Sequence, residues 1–568
     1  MPEGSSLARI IALLQADPTV GDLEANATLI ATLGDAAATK GANLAVSTEL
    51  VVSGYPPRDL LLQSEFIDAC VKAAENITCS IPLLIGTPLP AKGRNLPGNG
   101  VLSNNGEVRE VVRKQLLPTY DVFDEARYFA ADARPGIART FGGLNLGVTV
   151  CEDAWQHAGH TPIDYDADPI EQIAEWVRQG VELDATVNLS ASPFHVEKLS
   201  TRVEVARCAA KTLQHPFLLA NQVGANDDLL FDGRSLAAWP DGRIVMAPAW
   251  QEGALLVDID DYSRAQWLGK GEITHIAPGD DPISADDDLL QAVVSGLSGY
   301  CAKAGLKKIV LGLSGGIDSA VAACVASAAV GPENVTGIAM PSKHSSDHSL
   351  ADAQATAAAL GIEFLTISIE DLHENATTLL ADLLASGDKV AGENIQARLR
   401  GLIVMAHANA NHAMAIATGN KSELAQGYCT LYGDMAGGYA PLGDLYKMEV
   451  YDLAKQFNQR MNPPPINHST MTKPPSAELA PDQRDDDKLP PYPILDEILR
   501  LHIEYRLEAS EIVAKGFDAN VVADVLVRLA QNEHKRWQMP PAPRVSRRAF
   551  GQGWRQPLAA KHAWRRSI

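Results

Sequence analysis

Residues 307–329 constrain the fold of this chain most. Residues 307–313 form a short apolar run of strand character that leads into Gly312-Leu313-Ser314-Gly315-Gly316-Ile317-Asp318-Ser319, and an apolar helical run follows to Ala329. A strand that feeds a helix through so short a turn commits the chain to a βα unit. The alternation continues, with strands expected at 335–341, 363–369 and 412–418 and helices at 350–360 and 394–411. Apolar strands separated by helices predict an α/β fold with a doubly wound parallel sheet. Such a sheet receives ligands at the carboxyl ends of its strands.

The turn itself carries chemistry. Its glycines let backbone N–H groups approach a ligand, and the helix start favours negative charge. Ser314 and Ser319 add hydroxyl donors, whereas Asp318 would repel a bare phosphate unless a divalent cation sat between them. A Walker loop would need a lysine that is absent here. A tight turn with Asp318 capping the helix is the plain structural alternative.

The first half also alternates. Strands are expected at 7–14, 43–50, 82–89, 144–151, 185–190 and 216–224, and helices at 22–40, 64–79 and 198–213. Turn signals at Ser103-Asn104-Asn105-Gly106 and Pro240-Asp241-Gly242 predict hairpins, so some pairing should be antiparallel. Cys151 and Glu49 fall at strand ends, and Lys114 lies just past the first hairpin. A thiol at a strand end is accessible to act as a nucleophile, although an isolated cysteine there is as readily a small inert core residue.

At 568 residues and 46% hydrophobic, the chain has material for more than one core. The polar, acidic stretch from Ala277 to Asp288 separates the two patterns and reads as a linker. The Pro-rich, charged stretch 462–493 has too many helix and strand breakers for a core element and reads as a loop closing over a site. The formal net charge of −22 disfavours nucleic acid and anionic membranes as partners. Only the segment from His534 to Ile568 runs the other way, with nine Lys or Arg and no acidic residue. Seven cysteines without a CxxC pair argue against a zinc cluster or a disulfide framework, and for a cytoplasmic protein. Arg9 ahead of the short run Ile10 to Leu14 suits a first strand better than a signal peptide.

The string Ser314-Gly315-Gly316-Ile317-Asp318-Ser319 resembles the SGGxDS pyrophosphate loop of ATP pyrophosphatases, which adenylate a substrate and release pyrophosphate. Four further strings lie downstream: Gly392-Glu393-Asn394-Ile395-Gln396-Ala397-Arg398-Leu399-Arg400, Ala417-Thr418-Gly419-Asn420-Lys421-Ser422-Glu423, Tyr432-Gly433-Asp434 and Pro441-Leu442-Gly443-Asp444-Leu445-Tyr446-Lys447. With these and Lys473-Pro474-Pro475-Ser476-Ala477-Glu478-Leu479, the chain from about residue 306 onward resembles the NAD synthetase family. The resemblance implies a Rossmann-like, adenine nucleotide alpha hydrolase-like domain. ATP would lie against Gly312, Leu313, Ser314, Gly315, Gly316, Ile317, Asp318, Ser319 and Thr418. Deamido-NAD would contact Asn394, Glu423 and Lys535, and Mg²⁺ would take Asp318 and Glu423.

Thr48-Glu49-Leu50, Arg113-Lys114-Gln115-Leu116-Leu117-Pro118 and Val150-Cys151-Glu152-Asp153 resemble the nitrilase superfamily over residues 5 to 270. That likeness implies an αββα sandwich with a catalytic Glu49, Lys114 and Cys151. It also implies a glutamine site at Tyr120, Glu125, Ser192 and Lys198. Together the halves are similar to the glutamine-dependent NAD synthetase family, with a glutaminase domain at 1–272, a linker at 273–288 and a synthetase domain at 289–568. The family likeness implies a homodimer or higher homo-oligomer formed through the synthetase domain, and Lys535 and Arg536 as the substrate-contacting start of the basic tail. The rest of that tail, from Arg544 to Arg566, reads as solvated or facing another subunit. A different adenylating, pyrophosphate-releasing amidotransferase is the alternative.

Overall fold

The computed structural model describes residues 8–279, 288–343, 345–385, 389–475, 485 and 488–561. The chain forms two compact units, Met1–Ala285 and Asp286–Ile568. None of the described helices is long and apolar enough to cross a membrane.

In the first unit an eight-stranded sheet runs in the order Glu272–His275, Gln266–Gly269, Gly253–Asp258, Ile10–Gln15, Leu44–Val46, Leu83–Leu89, Gly98–Asn104, Val108–Arg113. A six-stranded sheet runs Ile244–Met246, Leu236–Ala238, Phe217–Asn221, Ala185–Ser190, Leu144–Val150, Gly136–Phe141. Alternation along each strand divides its side chains between two cores. Ile11, Leu13, Leu44 and Val46 of the first sheet meet Leu146, Val148, Val150, Val187 and Leu189 of the second. Ala12, Leu14 and Ala45 point the other way, toward the helices Leu23–Ala38 and Ser64–Glu75. The helices Pro169–Arg178 and Lys198–Leu213 cover the outer face of the second sheet. This is the expected αββα sandwich. Local signals set the helix starts: Asp22 accepts from the Ala25 N–H, and Asp168 accepts from the Glu171 N–H just ahead of Pro169.

Several expected strands are shorter than their apolar runs. The run at 43–50 pairs only over Leu44–Val46, because the chain leaves the sheet and turns at Leu50, which has φ +47°. The run at 216–224 splits into Phe217–Asn221 and Val223–Asn226, the latter pairing with Leu229–Asp232. The segment 273–288 begins as strand rather than linker: Glu272–His275 pairs with Gln266–Gly269, and Gly279 bridges Ile244. Its residues 280–287 lie outside the described residues.

The second unit is built on four parallel strands in the order Glu363–Thr366, Val335–Ala339, Lys308–Gly312, Ala413–Ala415. Strand order reverses at Lys308–Gly312, so the glycine-rich turn sits at the switch point of the sheet. The helix Ile317–Val330 behind it is buried from Ser319 to Ser327. A second core joins Tyr492–Ile503, Ala509–Ala514 and Ala519–Gln531 with Phe550 and Trp554. The stretch 462–493 is not all loop, since it includes the short helix His468–Thr472 and the first two residues of Tyr492–Ile503. Ser476-Ala477-Glu478-Leu479 lie outside the described residues.

The basic tail is also corrected. Arg547, Arg555 and Lys561 are exposed as expected and residues 562–568 lie outside the described residues, but Arg544, Val545, Ser546, Ala549, Phe550 and Trp554 are buried. The cause is Asp444, whose carboxylate accepts the N–H groups of Val545 and Ser546 at 2.8 Å each. Lys421, fully buried, ion-pairs with Asp444 at 2.9 Å and donates to Ser546 Oγ at 2.6 Å and the Arg548 carbonyl at 3.0 Å. Truncating either buried charge would strand the other, at a cost of about 3–5 kcal/mol.

Candidate active sites

In the first unit, the chain leaving the strand Leu44–Val46 carries Glu49 into the interior. Gly86 permits this, because a Cβ there would lie 2.2 Å from the Thr48 carbonyl oxygen and 3.0 Å from Glu49 Cα. The Glu49 carboxylate is fully buried and fully engaged. Its Oε1 accepts from Lys114 Nζ and Asn99 Nδ2, both at 2.7 Å, and its Oε2 accepts from the Ala191 N–H at 3.1 Å. Lys114 Nζ also donates to Glu125 Oε1 at 2.8 Å. Two carboxyl groups therefore share one ammonium in a buried site.

Cys151 follows the last residue of Leu144–Val150 and opens a single turn, Cys151–Ala154, with φ +40°. A left-handed non-glycine residue stores strain and presents its side chain sharply off the strand. Burial pushes the thiol well above its usual range; Glu49 adds to this and Lys114 opposes it. The resting thiol is thus neutral and needs a base to react. Burial works against the Lys114 ammonium, but Glu125, Glu49 and the thiol outweigh it and hold the group charged.

Burial also raises the Glu125 carboxyl to about 7, with Lys114 opposing and Glu49 reinforcing. Folding therefore takes up a proton at Glu125. The stability this contributes is full below about 4.5 and is lost as pH rises through about 7. Glu125→Gln cannot ionise, so its Tm should fall less than that of the wild type between pH 5 and 8. Scanning calorimetry reads this, and parallel curves would remove the assignment.

The residues expected to form a glutamine site divide into two groups. Tyr120 OH donates to Glu152 Oε1 at 2.6 Å, and Tyr165 OH reaches the same oxygen at 3.4 Å. Lys198 lies over the Trp155 ring at 5.3 Å, donates to the Pro193 carbonyl and acts electrostatically on Glu152. Glu125 belongs instead with Glu49 and Lys114. Ser192 is buried one residue beyond the Ala191 N–H that holds Glu49, and its own N–H donates to Asn221 Oδ1 at 2.9 Å. Asn99, Glu152 and Tyr165 were not predicted from sequence. Glu152 adjoins Cys151 in the quoted motif, whereas Asn99 had no local signal.

In the second unit, the glycine-rich turn forms one wall of a cavity of about 500 Å³. Gly312, Leu313, Ser314, Gly316, Ile317, Asp318 and Ser319 line it, as do Thr418, Asn394, Glu423 and Lys535. Gly315 faces away, with φ +80° and its Cα hydrogens toward the Ser349 carbonyl. Ser319 Oγ closes the turn on itself, accepting from the Ser314 N–H at 3.2 Å and donating to the Gly316 carbonyl at 3.0 Å.

Asp318 lies in the first helical turn but is not its cap, which is Gly316. Its Oδ1 accepts from Asn420 Nδ2 at 2.9 Å, and its Oδ2 is 2.5 Å from Lys447 Nζ. Lys447 reaches Glu423 Oε1 at 3.3 Å as well. Burial, then the nearby Asp318, raises the Glu423 carboxyl to about 8, and Lys447 opposes that. Lys447 was quoted within a motif but given no role. Among the described residues, no group of three His, Cys, Asp or Glu forms a metal cage.

Asn394 lies inside a helix that begins at Lys389 rather than at its start, and its Oδ1 accepts from Thr430 Oγ1 at 2.9 Å. Lys535 donates to the carbonyls of Gly427 and Cys429, both at 2.7 Å, so its ammonium is anchored at the cavity edge by the end of the helix Lys421–Gln426.

A family model described as carbon-nitrogen hydrolase matches residues 10–267, and one described as NAD synthase matches residues 289–540. A glutamine-dependent NAD(+) synthetase from Synechocystis sp. is 41% identical over 97% of this chain and 98% of its own length. One from Thermotoga maritima is 36% identical over 96% and 98%. The solved structure of glutamine-dependent NAD+ synthetase from Acinetobacter baumannii in complex with adenosine diphosphate superposes with a TM-score of 0.73. It is 31% identical and covers 97% of this chain and 98% of that one. With both halves matched in order and the likeness running through nearly the whole length, the chain belongs to the glutamine-dependent NAD(+) synthetase family.

Proposed function

We propose that this chain makes NAD from deamido-NAD, using ATP to adenylate the nicotinate carboxylate and ammonia from glutamine to displace AMP. The observation that carries the reading is one chain holding both a buried Glu49–Lys114–Cys151 cluster and a nucleotide-sized cavity walled by the Gly312–Ser319 turn. The first supplies nitrogen and the second activates its acceptor.

In the glutaminase cluster, Glu49 takes the Cys151 proton as the sulfur attacks the side-chain amide of glutamine. Lys114 stabilises the oxyanion of the tetrahedral intermediate, which collapses to a γ-glutamyl thioester as Glu49 returns the proton to the departing nitrogen, releasing ammonia. Glu49 then takes a proton from water, and hydrolysis of the thioester returns the thiol and releases glutamate. Glu152 and Lys198, of opposite charge and near each other, suit the ammonium and carboxylate of the amino acid, with Tyr120 orienting Glu152.

In the cavity, the backbone N–H groups of the turn receive the pyrophosphate portion of ATP, and Thr418 lines the nucleotide pocket. Asn394, Glu423 and Lys535 bound the space left for deamido-NAD. Two carboxylates on one wall, facing a phosphate loop, are the hard oxygen donors Mg²⁺ takes beside phosphates, so Asp318 and Glu423 fit that ion. Bound there, it would offset phosphate charge as a Lewis acid. Lys447 already holds these two side chains together.

The same reading extends to a cytoplasmic homodimer or higher homo-oligomer. Exposed Leu379, Leu383 and Leu402 on neighbouring helices of the second unit support the association, and light scattering on the purified chain measures it. The activity test supplies deamido-NAD, ATP and Mg²⁺ with either glutamine or ammonia. NAD, AMP and pyrophosphate should appear with both nitrogen sources. Failure with both overturns the reading, and turnover of xanthosine monophosphate or aspartate instead would favour another adenylating amidotransferase.

A further inference from the structure

The glutaminase cluster depends on relative placement. Lys114 enters from a hairpin of one sheet and Cys151 from a strand of the other, and neither side chain directly fixes the other's backbone. One buried side chain spans both. Asp153 has no solvent exposure. Its Oδ2 accepts from the Val150 N–H at 3.0 Å, on the residue before Cys151. Its Oδ1 accepts from the Gln115 N–H at 3.1 Å and the Leu116 N–H at 2.9 Å, on the two residues after Lys114. On the other side of Lys114, its own N–H donates to the Asn99 carbonyl at 2.7 Å, while the Asn99 side chain holds Glu49.

A cap for the turn Cys151–Ala154 needs only the bond from Val150. Using the second oxygen on two N–H groups of a different chain segment serves another end. It ties the strained Cys151 turn to the backbone that carries Lys114. We infer that Asp153 is a positioning residue for the glutaminase reaction, setting the distance between the Lys114 ammonium and the Cys151 sulfur through three backbone hydrogen bonds. It touches no reacting atom. A misplacement of about 1 Å in such a site costs about 100-fold in rate.

The inference rests on the proposed glutaminase role of Cys151, so wild type, Cys151→Ala and Asp153→Asn are assayed side by side. Asparagine keeps the volume but replaces one acceptor oxygen with a donor, so at least one of the three bonds is lost. Glutamine-supported kcat should fall about 100-fold in Asp153→Asn, with KM for glutamine within about threefold. Ammonia-supported NAD formation should stay at the wild-type level. The pH midpoint for alkylation of Cys151 by iodoacetamide should move upward, because the ammonium near the sulfur is displaced. Asp153→Glu, which keeps the charge and both acceptors, should recover part of the lost kcat.

The inference is overturned if kcat with glutamine stays within about threefold, or if KM carries the loss. It is equally overturned if the alkylation midpoint does not move, or if several cysteines become reactive together, which would mark Asp153 as a stability residue only. If Cys151→Ala itself keeps glutamine-supported activity, the glutaminase reading fails first, and the two failures are thereby distinct.

Discussion

Cys151→Ala should abolish NAD formation from glutamine, by about 1000-fold or more, while leaving the ammonia-supported reaction at its wild-type rate. The size follows from chemistry, since without the thiol no γ-glutamyl thioester forms and no neighbouring group replaces it. Asp153 and Glu152 are carboxyls engaged elsewhere, and Glu49 is held by three donors. The sparing follows from location, since every residue lining the cavity beside the Gly312–Ser319 turn lies in the second unit. The substitution removes one buried sulfur beside Val150 and leaves the Glu49–Lys114–Glu125 ion cluster intact, so the fold should tolerate it. Steady-state assays with each nitrogen source decide the matter. Loss of both activities would show that Cys151 serves something other than ammonia supply.

Gly315→Ala should do the reverse. At φ +80° an alanine is already strained, by about 1–3 kcal/mol, and its Cβ would lie 2.1 Å from the Ser349 carbonyl oxygen. That oxygen belongs to the first turn of the helix Asp347–Leu360, and the Gly315 carbonyl is in turn gripped by Thr470 Oγ1 at 3.3 Å. The turn therefore cannot retreat and must shift toward the cavity, displacing the N–H groups that would receive pyrophosphate. NAD formation should drop about 100-fold with glutamine and with ammonia alike, whereas alkylation of Cys151 should keep its wild-type rate. Normal synthesis with ammonia would show that the turn does not receive the nucleotide.

Much of both sites was legible because their carriers are local. A strand, a glycine-rich turn and a helix in sequence specify one wall of the cavity, and the helix Lys198–Leu213 and strand Ala185–Ser190 fall where their periodicity places them. The motif contexts around Glu49, Lys114 and Cys151 named residues that fold together even though 65 and 102 positions separate Glu49 from the other two. The clamps were not legible. Asn99, Asp153, Asn420 and Lys447 act through partners far along the chain, and a polar residue near a strand or helix end gives no local sign of which backbone it will hold. Helix boundaries failed for a related reason. The helix expected over 394–411 begins earlier, at Lys389, and places Asn394 inside rather than at its start. The tail misled because charge suggested solvent, while Asp444, about a hundred residues upstream, keeps Val545 and Ser546 buried.

The hold of Asp444 and Lys421 on residues 545–548 bears on the order in which the chain is made. Unit one cannot close its larger sheet until Gly253–Asp258 has emerged to pair with Ile10–Gln15. Unit two waits longer, because Lys421 has its full set of acceptors only once Ser546 and Arg548 have arrived. During synthesis the glutaminase unit can therefore fold while the other is still being extruded, and the synthetase unit must hold a buried cation open until Ser546 and Arg548 have been translated. A nascent chain stalled before Ser546 would have its first unit protected from protease and its second still digestible.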